Sequence, residues 1–342
     1  MSENKRTEIS SYGEFGLIDH LTKTIKLKNK ESIYGVGDDA AILNFEDETV
    51  VSTDLLMEGV HFDLAYTPLK HLGYKAVAVN VSDIAAMNAI PKQILVSLAI
   101  SNRVSVEALE ELYEGINLAC ENYNVDLVGG DTTSSLSGIA ISVTVIGVAD
   151  NNKLVKRNSA KEGDLIYVSG DLGGAYLGLQ LLEREKEVFL SDGEIVPDLK
   201  GKDYVVKRQL KPEARMDVIY GLRELGIIPT SMIDISDGLA SELTHISRQS
   251  DVGVDIFDQY LPVDNETYET AMEFNLDPSV CALNGGEDYE LLLTVDPSNR
   301  KKMDKLTELT QIGEVKAASN GLKLVTKNNN RIDIKAQGWV HF

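Results

Sequence analysis

The aspartates of this sequence stand in unusual company. Asp38-Asp39 follow Gly35-Val36-Gly37, Asp54 closes the triplet Ser52-Thr53-Asp54, and Asp131 follows Gly129-Gly130. Asp234 and Asp237 bracket Ile235-Ser236, and Asp83 lies in the run Asn80-Val81-Ser82-Asp83. Small neighbours let another backbone or a ligand approach closely. A single Asp at a turn is ordinarily a cap for backbone N–H groups. A set that converges is different, because two carboxylates about 4 Å apart repel by about 4 kcal/mol in an effective dielectric of about 20. Such a cluster persists only when protonated or neutralised. Hard oxygen ligands with few accompanying His or Cys residues select magnesium over zinc.

Absent motifs narrow the chemistry. There is no G-x-x-x-x-G-K-[ST] run and no G-x-G-x-x-G opening a helix, which excludes a P-loop and argues against a dinucleotide fold. No histidine pair has metal-site spacing, no G-x-S-x-G elbow occurs, and the protein-kinase motifs are missing.

Strand and helix signals alternate along the chain. Residues 49–52 read as a short strand ending at Thr53-Asp54, and residues 72–89 as a helix with Leu72, Ala76, Val79 and Met87 near one stripe. On that helix Asn80, Asp83 and Met87 share a face, since residues three and four apart are neighbours. A strand is expected over 93–100, then a helix N-capped by Ser105 and carrying Leu109, Leu112, Tyr113, Ile116 and Cys120. The apolar run 125–128 should end at the Gly129-Gly130 turn, and the β-branched run 139–148 is a strand. The turn-rich Asp150-Asn151-Asn152-Lys153 divides the chain into domains 1–150 and 151–342. Beyond it, strands are expected over 164–169, 232–235 and 289–295, with helices over 173–185 and after Ser236-Asp237-Gly238. The fold class is α+β or α/β with two similar halves.

The net charge of −21 disfavours nucleic acid and anionic membranes as partners. Cys120 and Cys281 are the only cysteines and read as buried free thiols. The polar stretch 1–11 lacks an apolar signal core, and no stretch approaches a membrane span. The cytoplasm is therefore the expected location.

With these motifs in this order, the sequence resembles the thiamine-monophosphate kinases. They belong to the superfamily of ATP-using synthetases that includes aminoimidazole ribonucleotide synthetase and selenophosphate synthetase. The matching stretches are Gly35-Val-Gly-Asp-Asp-Ala-Ala, Ser52-Thr-Asp with His61-Phe62, and Asn80-Val-Ser-Asp-Ile-Ala-Ala-Met87. They continue with Gly129-Gly-Asp-Thr-Thr, Asp234-Ile-Ser-Asp-Gly-Leu239, Gly285-Gly-Glu-Asp-Tyr-Glu290 and the tail ending at Phe342. The resemblance implies an α+β, two-domain synthetase-like fold. An N-terminal β-sheet domain would form a barrel shared in a homodimer, and a C-terminal α/β sandwich domain would follow. It implies magnesium at Asp39, Ser52, Thr53, Asp54, Asp83, Asp131, Asp234 and Asp237, with Asp54 and Asp131 at the centre of catalysis. It implies ATP contacts at Tyr113, Gly130, Asp131, Arg157 and Ser236. Thiamine monophosphate would meet His61, Glu287 and Trp339. The family tail often has Asp where Val340 stands, so this tail departs from the pattern.

The expected reaction is ATP plus thiamine monophosphate giving ADP plus thiamine diphosphate. Rivals in the superfamily carry a reactive Cys near the N-terminus or a Cys-bearing tail, and this chain has neither. A structural cation-binding protein would show Asp-rich loops of the EF-hand kind, which are also absent.

Overall fold

The computed structural model describes residues 7–8, 11–36, 41–150, 153–191 and 197–336. It is a mixed α+β structure of two compact units, one of residues 1–84 and 89–151, the other of residues 85–88 and 152–342.

The first unit begins with α1 (Gly13–Thr22), β1 (Ser32–Tyr34) and β2 (Ile42–Leu43). Then come β3 (Glu48–Met57), α2 (Leu69–Ala86), β4 (Ile90–Ser101), α3 (Val106–Tyr123), β5 (Asp126–Ser135) and β6 (Ile139–Ala149). A four-stranded sheet has the order β3-β6-β4-β5. Strand β6 is antiparallel to both β3 and β4, whereas β4 and β5 are parallel. Parallel strands need a long crossover, which α3 supplies between β4 and β5. Strand β6 alternates cleanly, with Ile139, Ile141, Val143 and Val145 buried. On the other face Val51, Leu55 and Met57 of β3 are exposed, so one apolar face of the sheet is uncovered by the described residues.

Helix α2 differs from the stripe expected of it. Residues 72–82 are buried without a break, as in a helix packed on more than one side. Crowding explains its sequence. A Cβ on Gly73 would stand 2.0 Å from the Leu112 carbonyl oxygen, and one on Gly115 1.9 Å from that of Lys70. The two helices therefore touch backbone to backbone. We expect Gly73→Ala to destabilise the protein by about 1–3 kcal/mol or more, read as a lowered urea midpoint. Helix α3 starts where expected, with the Ser105 hydroxyl accepting from the Ala108 N–H at 3.3 Å, and ends at Asn124 in the left-handed conformation.

Two strand ends differ from the sequence reading. Strand β3 runs three residues past Asp54, to Met57, and β5 runs through Gly129-Gly130 to Ser135. Asp54 and Asp131 are thus mid-strand residues. The Gly-Gly pair serves a bulge and a close strand approach rather than a turn. The β4–β5 register shifts between Ile94 and Leu95, and a Cβ on Gly130 would lie 1.8 Å from the Val96 carbonyl oxygen.

The second unit contains β7 (Leu165–Ser169), α4 (Gly174–Ser191), α5 (Asp203–Leu210), α6 (Met216–Glu224), β8 (Ser231–Asp234) and α7 (Leu239–Ser250). It continues with β9 (Val252–Phe257), α8 (Asn265–Glu273), α9 (Pro278–Asn284), β10 (Leu291–Val295), α10 (Arg300–Met303), β11 (Leu309–Ala317), β12 (Leu322–Val325) and β13 (Arg331–Asp333). Its seven-stranded sheet has the order β13-β12-β9-β11-β7-β10-β8, antiparallel except for the β12–β9 pair. Strands β7, β8 and β10 are buried at every position. Ile166, Val168, Ile233, Leu292 and Val254 pack with Leu239, Leu243 and Ile246 of α7. Strand β10 starts at Leu291 rather than residue 289, because Tyr289 has φ +52° and cannot continue a pleat. Cys120 and Cys281 are both buried and free, as expected. No helix of the described residues is long and apolar enough to cross a membrane.

Candidate active site

The corner where α2 lies against β3 gathers the first group of functional side chains. Alternation along β3 turns Ser52 and Asp54 to the helix side and Thr53 to the other. The Ser52 hydroxyl donates to Asp83 Oδ2 at 2.5 Å, and the Asp54 backbone N–H donates to Asn80 Oδ1 at 2.9 Å. Asn80, fully buried, is held in turn by donating its amide to the Ala76 carbonyl at 2.9 Å. Burial raises the Asp54 carboxyl to about 6, and the nearby Asp83 charge pushes the same way. The result is two carboxylates and a hydroxyl in one corner, all oxygen donors, carrying a like-charge penalty that a divalent cation would relieve. The sequence reading placed Asn80 and Asp83 on one helix face, and both indeed reach β3.

Thr53 points the opposite way, donating to the Val143 carbonyl at 3.0 Å and pairing with the Thr144 hydroxyl at 3.0 Å. Asp131 is exposed on β5, the far edge of the sheet. Strands β6 and β4 separate it from β3, roughly 14 Å at the usual strand spacing. The register sets Asp131 opposite Ser97, Ser97 opposite Ser142, and Ser142 opposite Leu55. Asp131 therefore belongs to the face of Thr53 and not to that of Asp54. Gly130 beside it is exposed. Within one chain the structure joins Asp54 to Asp83 and leaves Asp131 apart.

Tyr113 lies on the packed side of α3, 8% exposed, with its hydroxyl raised to about 12 by burial. His61 is half-buried, and its Nδ1 accepts the Met57 N–H at 3.0 Å. The neutral ring accordingly carries its proton on Nε2.

In the second unit the turn from β8 to α7 carries Asp234, Ser236 and Asp237. Asp234 is buried at the strand end, Ser236 is exposed, and Asp237 is half-buried. The loop from Gly285 to Glu290 clips onto this turn. Glu287 N–H donates to the Ser236 carbonyl at 2.7 Å, and Tyr289 N–H to that of Ile235 at 2.9 Å. Gly286, at φ +72°, is required by the approach, since its Cβ would sit 2.7 Å from the Ser236 oxygen. Glu287 itself holds φ +57°, a strained value for a residue with a Cβ. Arg157 is exposed, and its charge is felt by Glu242.

Glu242 was missed by the sequence reading. It is 3% exposed in the first turn of α7, where its Oε1 accepts the Asp237 N–H at 3.2 Å. Burial raises its carboxyl to about 8; Asp234 and Asp237 push it up, while the Asp237 N–H and Arg157 pull it down. A glutamate one turn beyond a helix-opening aspartate, reaching back to a free backbone N–H, was the available signal. Another carboxylate, Asp126, is structural. It accepts from the N–H groups of Lys28 and Asn29 and from the Ser32 hydroxyl at 2.6–2.8 Å. Asp39, Trp339 and Val340 lie outside the described residues. Among the described residues no group of three or more His, Cys, Asp or Glu is arranged to hold a metal unaided.

Residues 37–149 match the family model described as AIR synthase related protein, N-terminal domain. The first unit thus belongs to the class of synthetase-like domains named after that enzyme. The whole chain is 37% identical to the thiamine-monophosphate kinase of Buchnera aphidicola subsp. Schizaphis graminum, covering 97% of this chain and 99% of that relative. It is 34% identical to the enzyme of the same name from Aquifex aeolicus, over 98% of this chain and 99% of the relative. The chain belongs to the thiamine-monophosphate kinase family, and it is an enzyme of that family. A solved structure described as AaThiL complexed with AMPPCP and TMP covers 100% of both chains with a TM-score of 0.76 at 33% identity. Hydrogenase maturation protein HypE in complex with ATP, at 20% identity, has a TM-score of 0.76 over 95% of this chain and 96% of its own; the fold is shared.

Proposed function

We propose that this chain transfers the γ-phosphoryl group of ATP directly to thiamine monophosphate, giving ADP and thiamine diphosphate, with Mg2+ as the assisting ion. The observation that carries this reading is the corner of Ser52, Asp54 and Asp83, an oxygen-only donor set whose half-buried carboxylates repel. Magnesium is commonly held by one or two carboxylates together with substrate phosphates, so the corner suits it without a complete protein cage. Ser52, Asp54 and Asp83 would hold an ion at this corner, and Asp39, Thr53, Asp131, Asp234 and Asp237 would hold ions beyond it, Thr53 and Asp131 from the opposite face of the sheet. When bound, they would neutralise the two phosphate-bearing substrates and favour in-line attack.

The remaining chemistry asks little of side chains as bases. The nucleophile is a phosphate oxygen of thiamine monophosphate, already anionic near neutral pH, so no proton need be removed. Asn80 and Ser52 hold Asp54 and Asp83 in place before any ligand arrives, which lowers the reorganisation needed later. Gly130, Asp131, Tyr113, Arg157 and Ser236 would contact ATP. His61, Glu287 and Trp339 would contact thiamine monophosphate, its cationic ring meeting the Glu287 carboxylate and the indole face. The uncovered apolar face with Val51, Leu55 and Met57 supports a homodimer in which two sheets share a barrel. The enzyme would act in the cytoplasm.

A coupled assay of ADP release tests the reading. Turnover is expected with thiamine monophosphate and magnesium, yielding thiamine diphosphate by chromatography, and not with unphosphorylated thiamine. Absence of turnover with the monophosphate, or equal turnover with both, would overturn it.

A further inference from the structure

The loop that carries Glu287 is pinned on alternate residues. Gly286, Asp288 and Glu290 are buried, whereas Glu287 and Tyr289 are half-exposed. Asp288 accepts from the Gly173 N–H at 2.9 Å, and Glu290 accepts from Arg208 and Arg215 at 2.7 and 2.6 Å. The Glu287 backbone is fixed as well, by its N–H bond to Ser236. The Glu287 side chain has three rotatable bonds between Cα and the carboxylate, so its direction depends on the groups it meets.

Gln209 restrains those torsions. Gln209, on α5, is 5% exposed, and its Nε2 donates to Glu287 Oε2 at 2.8 Å. Gln209 is anchored from behind, for α5 crosses α4 closely at Gly178. A Cβ on that glycine would lie 2.0 Å from the Val205 carbonyl oxygen and 3.0 Å from Gln209 Cβ. An amide carried on so closely packed a backbone, and bonded to one carboxylate oxygen, restricts the direction the carboxylate takes. An amide donor also leaves the negative charge intact, where a Lys or Arg in its place would neutralise it.

We propose that Gln209 is a positioning residue: it orients the Glu287 carboxylate toward the cationic ring of thiamine monophosphate and so helps set affinity for that substrate. The inference rests on the proposed function and deepens its account of the acceptor site. Gln209 does not touch ATP in this scheme, and that separates positioning from general stability.

Steady-state ADP-release kinetics on the full chain test it, with wild type, Gln209→Met, Gln209→Glu, Glu287→Ala and the Gln209→Met/Glu287→Ala double variant. A hydrogen bond to a charged group is worth enough for about a tenfold change when lost. Gln209→Met is expected to raise KM for thiamine monophosphate about five- to tenfold, with KM for ATP within about twofold. Gln209→Glu, which keeps the shape and sets a second carboxylate against Glu287, should raise it further; it decides the matter if the Met variant does not fold. In the Glu287→Ala background Gln209→Met should add nothing, because the two act as a unit. An unchanged KM, a parallel rise for ATP, or full additivity in the double variant would overturn the proposal. Wild-type enzyme without turnover on thiamine monophosphate would instead overturn the proposed function on which it rests.

Discussion

Asp54→Asn should make the metal-free protein more stable while removing most of its turnover. The Asp54 carboxyl is raised from 3.8 to about 6 by burial and by Asp83. Between those two values the folded state binds a proton that the unfolded state has released. Stability therefore falls as pH rises through that window, and the loss is complete above about pH 6. At 1.36 kcal/mol per pK unit the penalty at neutral pH is on the order of 2–3 kcal/mol. An amide of the same shape does not ionise, and the Asn80 bond to the backbone N–H of residue 54 survives. Urea unfolding in chelator at neutral pH should show a gain of about 1–2 kcal/mol, shrinking toward nothing near pH 4. Turnover at saturating magnesium should fall by about a hundredfold or more, and added magnesium should stabilise the variant less than the wild type. A variant that is less stable at neutral pH, or that keeps near-normal turnover, would contradict the assignment of this corner.

Glu290→Ala should be the most damaging single truncation in the second unit. The Glu290 side chain is 2% exposed and neutralises two guanidinium groups at once, those of Arg208 and Arg215, which are 14% and 11% exposed. It also accepts the Ser169 hydroxyl at 2.5 Å, and Ser169 Oγ in turn accepts the Leu291 N–H at 2.8 Å. Burial alone would lower the Arg208 pKa, but Glu290, Asp288 and Asp171 together raise it, so the cation persists in the interior. Removing one partner of a buried pair costs about 3–5 kcal/mol, since it strands the other charge. That is a large part of the roughly 5–15 kcal/mol by which proteins are stable. The expected result is insoluble protein or a urea midpoint lowered by that amount, with Glu290→Gln less severe because it keeps an acceptor for one arginine. A shift under about 1 kcal/mol for Glu290→Ala would mean the network is dispensable.

The candidate site was legible in the sequence as a set of residues and less so as a geometry. Ser105 as an N-cap, the β-branched alternation of β6 and the strand-to-helix turn at Asp234 to Gly238 all follow from local rules, and the structure has them. The apolar runs stop short of Asp54 and Asp131 and so put both at element ends, yet both are mid-strand. Glycine beside a carboxylate signals close approach, and a neighbouring strand needs that space as readily as a turn does. Gln209 is illegible for a different cause. It matters through Glu287, 78 residues away, and nothing in its own neighbourhood of sequence marks that partner.

Residue types and their spacing determined an α/β or α+β chain rich in carboxylates suited to a hard divalent cation, and the resemblance its motifs carry pointed to the thiamine-monophosphate kinase family. Only the tertiary structure decided which carboxylates meet. Chain spacing fixes the face a side chain occupies, whereas strand order and helix docking arise from contacts dozens of residues apart. That is why Asp83 reaches Ser52 across 31 residues while Asp131 stands on the opposite face at the far edge of the same sheet.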